Sequence, residues 1–261
     1  MRLKVEKLYE ECQKIIVEAG KKINKVSTKN YQIILKDNNE FITEVDLSIQ
    51  KYIVGRINSL GNYNFILEEQ RKTKEVHKIE NCFVIDPIDG THNFIAGLPN
   101  FAIAIAYVDN GVIQFGIIHI PKSGDTYKAM KDIGAYKNNK KIAVSTNNDI
   151  KKSIIAYDNQ FYKDEKVIKN YKNIVSSVFT TRISGSACID SCYISEGVLD
   201  ARILNSTNIY DIAAGSRIIE EAGGVVTDFH GKKITLTDVK SVILSSGMFH
   251  NKLLKIISAE N

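Results

Sequence analysis

The chain has 261 residues, 44% of them hydrophobic and 25% charged, with a formal net charge of +5. That is enough apolar content for one large or two closely packed domains around a substantial core. No apolar run approaches the roughly 20 residues of a membrane span, and Met1-Arg2-Leu3-Lys4-Val5-Glu6 opens an amphipathic helix instead of a secretion signal, so the expected location is the cytoplasm. The positive excess is spread over pairs such as Lys21-Lys22, Lys151-Lys152 and Lys232-Lys233 without interleaved aromatics. It reads as solvated charge with a weak pull on anionic substrates, not as a nucleic-acid stripe.

Leu3, Leu8, Ile15, Ile16, Ala19 and Ile23 recur at helical spacing and predict a helix over 3–24. Polar Lys36-Asp37-Asn38-Asn39-Glu40 is expected to form a mobile flap, after which Thr43-Glu44-Val45-Asp46 caps a second helix running towards Leu60-Gly61. Strands follow at 64–67, 82–86, 101–108 and 112–120, the last two joined by a hairpin at Asp109-Asn110-Gly111. Segments 126–130 and 134–137 extend the antiparallel pairing. Residues 1–145 thus read as an α+β half, helices against a largely antiparallel sheet. Residues 146–261 alternate as a layered α/β half: strands at 153–157, 178–183, 198–204, 224–227 and 241–244, helices at 161–172, 187–196, 211–222 and 248–258. The only prolines are Pro87, Pro99 and Pro121, so no flexible linker separates the halves, and they read as one compact unit. Cys12, Cys82, Cys188 and Cys192 form no C-x-x-C pair, and Cys188 with Cys192 reads as two buried helical thiols.

Chemistry concentrates in Asp86-Pro87-Ile88-Asp89-Gly90-Thr91, where an apolar strand ends in two aspartates three apart. Pro87 biases Asp86 to extended backbone, and a turn at Ile88-Asp89-Gly90 presents both carboxylates and the Ile88 carbonyl to one small volume. These are hard oxygen ligands of the kind magnesium takes. Glu68 and Glu69 close another strand, and Asp211 opens the helix Asp211-Ile212-Ala213-Ala214-Gly215. An EF-hand starting at Asp86 fails because its twelfth position is Gly97. The spacing is also not the D-x-D of an aspartyl-phosphate phosphatase, which favours attack by water over a covalent intermediate. Several residues carry second readings: Asp46 and Asp211 as helix caps, Arg182 and Arg202 as ion-pair partners or binders of a second phosphate, His92 as a proton donor or a side chain turned away from the site, and His119 as a core or edge residue.

In Leu67-Glu68-Glu69, Asp86-Pro87-Ile88-Asp89-Gly90-Thr91-His92-Asn93-Phe94, Asp211-Ile212-Ala213-Ala214-Gly215 and Phe41-Ile42-Thr43-Glu44-Val45-Asp46, the chain resembles the inositol monophosphatase family of magnesium-dependent phosphatases. The resemblance covers nearly the whole chain. It implies a five-layer αβαβα sandwich of the sugar phosphatase type with its site between the halves, and two or three Mg2+ per site. One metal would be held by Glu68, Asp86 and the Ile88 carbonyl, a second by Asp86, Asp89 and Asp211. Substrate phosphate would reach the backbone N–H groups of Gly90 and Thr91. Thr91 and Asp46 would orient and deprotonate the attacking water, with Glu68 in its shell. Gly185-Ser186-Ala187, with Asp89 and Asp211, would lie near the substrate's alcohol. The resemblance further implies a homodimer and lithium inhibition.

The departures bear on substrate. Leu204 stands where the family usually has an acidic residue that reads inositol, with Arg202 nearby; Tyr210 replaces a tryptophan, Leu67 a glycine and His92 a frequent threonine. The expected function is a Mg-dependent phosphomonoesterase for a small phosphate ester, inositol monophosphate first. Fructose 1,6-bisphosphate and 3'-phosphonucleotide or NADP hydrolysis are the alternatives within the superfamily. A non-catalytic binding or regulatory relative is the alternative outside enzymes, and the acidic cluster argues against it, since a scaffold has no physical need for clustered repulsive charge. No nucleic-acid polymer or membrane partner is expected.

Overall fold

Period-two alternation in the strands sorts the buried side chains into four clusters, and the clusters define the layers. The structure, a computed structural model, describes residues 2–26, 31–35, 41–69, 80–237 and 239–258. The expected flap at 36–40 lies outside them. A seven-stranded sheet runs in the order β3 (Asn64–Leu67), β4 (Cys82–Asp89), β5 (Ala102–Asp109), β6 (Val112–Ile120), β7 (Asp125–Met130), β8 (Gly134–Lys137) and β9 (Lys140–Lys141). Every pairing in it is antiparallel except β3 with β4. Phe83, Ile85, Ile103, Ile105, Phe115 and Ile117 face helices α1 (Arg2–Asn24) and α2 (Glu44–Asn58). Val84, Ala104, Ala106 and Ile118 face the other way, onto α5 (Ala187–Ser195) and α6 (Ile209–Glu221).

Those two helices are the middle layer. Their far side meets Ala156, Leu204, Val242 and Leu244 of a second sheet, ordered β11 (Thr180–Arg182), β10 (Ile154–Tyr157), β12 (Ala201–Leu204), β14 (Val242–Ser245) and β13 (Val225–Asp228). Here β10 is parallel to β11 and β12, while β14 is antiparallel to both its neighbours. Ile155, Tyr157, Ile203 and Ile243 face outwards and are covered by α4 (Glu165–Ser177) and α7 (His250–Ser258). The five layers are therefore αβαβα. Helix α5 is buried on nearly every face, as a helix clamped between two sheets must be.

Close approach of the middle layer to the first sheet depends on small residues. A Cβ at Gly116 would fall far inside contact distance of the Ala214 backbone, and one at Gly215 would overlap the Ser191 side chain. Ala104 and Ala106 keep the rest of that face low. The short ribbon of β1 (Ile33–Leu35) and β2 (Phe41–Thr43) is antiparallel, and α3 (Thr91–Ala96) follows β4 directly.

Several boundaries differ from expectation by a few residues: β4 runs on to Asp89 where its end was expected at 86, and α6 starts at Ile209 where 211 was expected. The helix predicted at 161–172 is α4 at Glu165–Ser177, because Asp164 accepts the Lys166 N–H and caps it there. The strand predicted from 198 starts at Ala201; Asp200 instead accepts the Ile154 N–H through its side chain and ends the preceding turn.

Candidate metal centre and active site

Simple alternation would put Asp86 and Asp89 on opposite faces of β4. The ladder prevents this: Asp86 pairs with Ala104 and Asp89 with Ala102, so three steps on β4 match two on β5. This bulge returns Asp89 to the face of Asp86, towards the middle layer. The Ile88 N–H donates to Asp86 Oδ1 at 3.1 Å and fixes the turn. Gly90 then takes a φ of +90°, and a Cβ there would lie 2.9 Å from the Asn100 carbonyl oxygen and 3.3 Å from that of Gly185. Any side chain at this position is doubly opposed, by backbone strain and by crowding.

Asp89 meets the start of α5. Its carboxylate accepts the Ser186 hydroxyl, the Ala187 N–H at 3.2 Å and the Cys188 N–H at 2.8 Å. Helix N-termini favour negative charge through their unpaired N–H groups. Asp211 occupies the first turn of α6, where it accepts the Asn208 N–H at 2.8 Å and the Thr207 hydroxyl at 2.9 Å. Its capping role and its place in the acidic group coexist: one oxygen each from Asp86, Asp89 and Asp211 lies within 4.8 Å of the others. Glu68, just after β3, shares a hydrogen bond with Asp86.

The electrostatic cost of this arrangement is plain. Burial pushes the Asp86 carboxyl well above the ordinary aspartate range, and the charges of Glu68, Asp89 and Asp211 push it further. Burial also raises Asp89, but Ser186, the α5 N–H groups and the Arg202 guanidinium oppose the rise. A cation among these hard oxygen donors removes the repulsion, so the residue set fits a divalent metal.

A second group adjoins the first. Asp46, buried, accepts the Thr43 N–H at 2.9 Å and the Thr43 hydroxyl, capping α2. Thr91 Oγ1 lies 2.9 Å from the Ile88 carbonyl oxygen and 3.3 Å from Asp46 Oδ1. With one proton to give, the Thr91 hydroxyl donates to one of these oxygens at a time. Burial raises the Asp46 carboxyl, against the opposing pull of Thr43 and Thr91.

Glu68, Asp86, Ile88, Asp89, Gly90, Thr91, Asp46, Gly185, Ser186, Ala187 and Asp211 therefore form one continuous constellation. Other residues singled out from the sequence stand apart from it. His92 is exposed and packs edge-on to Phe41, with ring centroids 5.4 Å apart. Arg182 donates to Thr180 and Thr181 of its own strand. His119 is buried, with Nδ1 2.9 Å from Thr126 Oγ1. Leu204 is buried against the middle layer.

Arg202 points from β12 into the middle layer, where it forms a buried ion pair with Asp190 of α5. Ser184 donates to the same carboxylate at 2.8 Å. Sequence reasoning missed Asp190 and Ser184. The available signal was the one charged residue, an aspartate, in the Ala187–Ser195 helix of small and apolar residues, a charge that requires a partner when buried. This pair anchors the turn at 184–188, which supplies the three donors to Asp89. Asn93 ties α3 to the same turn by donating to Ser184 O at 2.8 Å, and to the segment leading into β5 by donating to Asn100 O at 2.7 Å.

Comparison with known proteins agrees with this architecture. The family model described as the inositol monophosphatase family matches residues 4–261. A Thermotoga maritima protein named fructose-1,6-bisphosphatase/inositol-1-monophosphatase is 34% identical over 219 residues, 84% of this chain and 83% of its own. The Escherichia coli Nus factor SuhB is 32% identical over 227 residues, 83% of this chain and 85% of its own. A solved Thermotoga maritima IMPase superimposes with a TM-score of 0.85 at 31% identity, covering 94% of both chains. A full-length family match, relatives above 30% identity and a shared fold lead to one conclusion: the chain belongs to the inositol monophosphatase family.

Proposed function

We propose that the protein is a magnesium-dependent phosphomonoesterase acting on a small phosphate ester by direct attack of water. The observation that carries this reading is the meeting of Asp86, Asp89 and Asp211 oxygens within 4.8 Å, where burial and the nearby Glu68 carboxylate raise the Asp86 pKa. Glu68, Asp86, the Ile88 carbonyl, Asp89 and Asp211 would hold the metal ions. Bound magnesium supplies Lewis acidity that activates water and offsets the charge of the transferring phosphoryl group.

The chain's own groups do the rest. Asp46 accepts a proton by way of the Thr91 hydroxyl, which Ile88 O and Asp46 already hold between them. The Gly90 and Thr91 N–H groups meet a phosphate oxygen, an approach that the absent side chain of Gly90 permits. The turn at Gly185, Ser186 and Ala187 keeps Asp89 oriented and leaves room for the alcohol. Thr91 and Asp46 stand in series on one proton path, so loss of either lowers turnover more than substrate affinity.

Inositol monophosphate is the first substrate to test. Fructose 1,6-bisphosphate is a second reading, supported by the double name of the Thermotoga maritima relative. The decisive experiment is phosphate release from inositol 1-phosphate, fructose 1,6-bisphosphate, 3'-phosphoadenosine 5'-phosphate and NADP, with Asp89→Asn as control. One preferred ester and an inactive control support the reading. Equal activity of Asp89→Asn overturns the metal assignment, and a folded protein inert towards all four transfers the weight to a non-catalytic binding or regulatory role. A homodimer is part of the proposal, tested by mass in solution.

A further inference from the structure

A cavity of about 660 Å³ lies on the outer layer, between α4 and the connection from β13 to β14. None of its lining residues belongs to the acidic centre. Lys166 and Lys169 project from the helical wall, and His230, Lys232, Lys233 and Lys240 line the connection. Asp228 is the acidic residue among the described lining residues, and its Oδ1 is turned onto the N–H groups of His230 and Lys232, 2.8 Å from each. Lys169 and Lys240 already engage other groups, which leaves Lys166, Lys232 and Lys233 as the cavity lysines that form no ion pair with a described residue. Like charges gathered in a concave surface focus a positive potential, at a cost that an anionic ligand removes.

The remaining lining narrows the ligand. Asn170, Asn173 and Ser241 offer neutral hydrogen-bonding groups, and Phe229 and Ile234 offer an apolar wall. The volume is in the range of small-molecule sites, roughly 300–1,000 Å³. The cations sit on two walls, so a single phosphate meets one wall whereas two linked phosphates reach both. A cavity of this size suits a small ligand better than a polymer.

We infer that this cavity binds a small organic polyphosphate, of which a nucleoside diphosphate is the simplest member, at a site separate from the acidic centre. The inference stands whether or not the protein hydrolyses phosphate esters. Its test is calorimetric titration of the full chain with ADP, AMP and pyrophosphate in excess chelator, which keeps divalent metal out of the acidic centre. ADP and pyrophosphate are expected to bind saturably, AMP at least tenfold more weakly, with affinity falling between 50 and 200 mM salt. Lys166→Glu combined with Lys232→Glu should weaken ADP at least tenfold while circular dichroism stays unchanged. Should the charge reversal fail to fold, Lys166→Gln with Lys232→Gln carries the same expectation. Asp86→Asn should leave ADP binding intact. The inference is overturned if neither ADP nor pyrophosphate binds, if the lysine variants bind as the parent does, or if Asp86→Asn abolishes binding. It is likewise overturned if an RNA oligonucleotide binds through these lysines more tightly than ADP.

Discussion

Replacing Asp86 by Asn is expected to stabilise the metal-free protein while destroying its function. Asp86 is 1% exposed and faces Glu68, Asp89 and Asp211. Asparagine keeps the oxygen that accepts the Ile88 N–H and removes the charge that burial penalises. A buried group without full compensation costs about 2 kcal/mol, and in a chain of this size each kcal/mol moves Tm by about 2–4 °C. The variant should therefore melt about 4–8 °C higher than the parent in chelator. With magnesium the order should reverse, because the parent gains binding free energy that the variant cannot. Differential scanning calorimetry with and without magnesium reads both effects. A variant that melts lower than the parent in chelator would refute the view that these carboxylates form an uncompensated cluster awaiting a cation.

Gly116→Ala should destabilise by about 1–3 kcal/mol, since its methyl group would meet the Ala214 backbone; because α6 carries Asp211, magnesium affinity should fall too, as calorimetric titration would show. Asp190→Asn strands the buried Arg202 guanidinium and should cost about 3–5 kcal/mol in urea denaturation, a loss that Arg202→Met in the same chain should partly restore. His250, held between Thr227 Oγ1 at 2.8 Å and Ser245 Oγ at 2.7 Å, has its pKa lowered by burial. The unfolded chain therefore takes up this proton first, and stability is lost as pH falls through about 6.5. His250→Gln should flatten the stability profile between pH 5 and 7, and an unchanged slope would contradict the assignment.

What the sequence made legible was local. Asp86 and Asp89 are joined by a turn whose chemistry is written in Pro87 and Gly90, and the caps at Thr43 and Asp211 announce their own helices. The Asn110-Gly111 hairpin set the pairing of β5 with β6 for the same reason. The bulge that turns Asp89 to the face of Asp86 was not legible, because it depends on the partner strand's register at Ala102 and Ala104. The Asp190 and Arg202 pair was also hidden: one residue sits on a helix, the other on a strand of the second sheet, and periodicity alone does not say which buried charges meet. The shift of α4 from 161 to 165 came from Asp164, whose side chain caps the helix by accepting the Lys166 N–H. The seat of Leu204 against the middle layer depends on sheet order, which no local pattern encodes.

The central claim is that the carboxylates of Asp86, Asp89 and Asp211 serve metal-dependent phosphoester hydrolysis. Phosphate release should be followed on chelator-treated protein with inositol 1-phosphate and fructose 1,6-bisphosphate while magnesium is titrated back. The account predicts no release in chelator and a saturable rise with magnesium for at least one of the two esters. Release that persists in chelator, or none from either ester by folded protein at saturating magnesium, would contradict it.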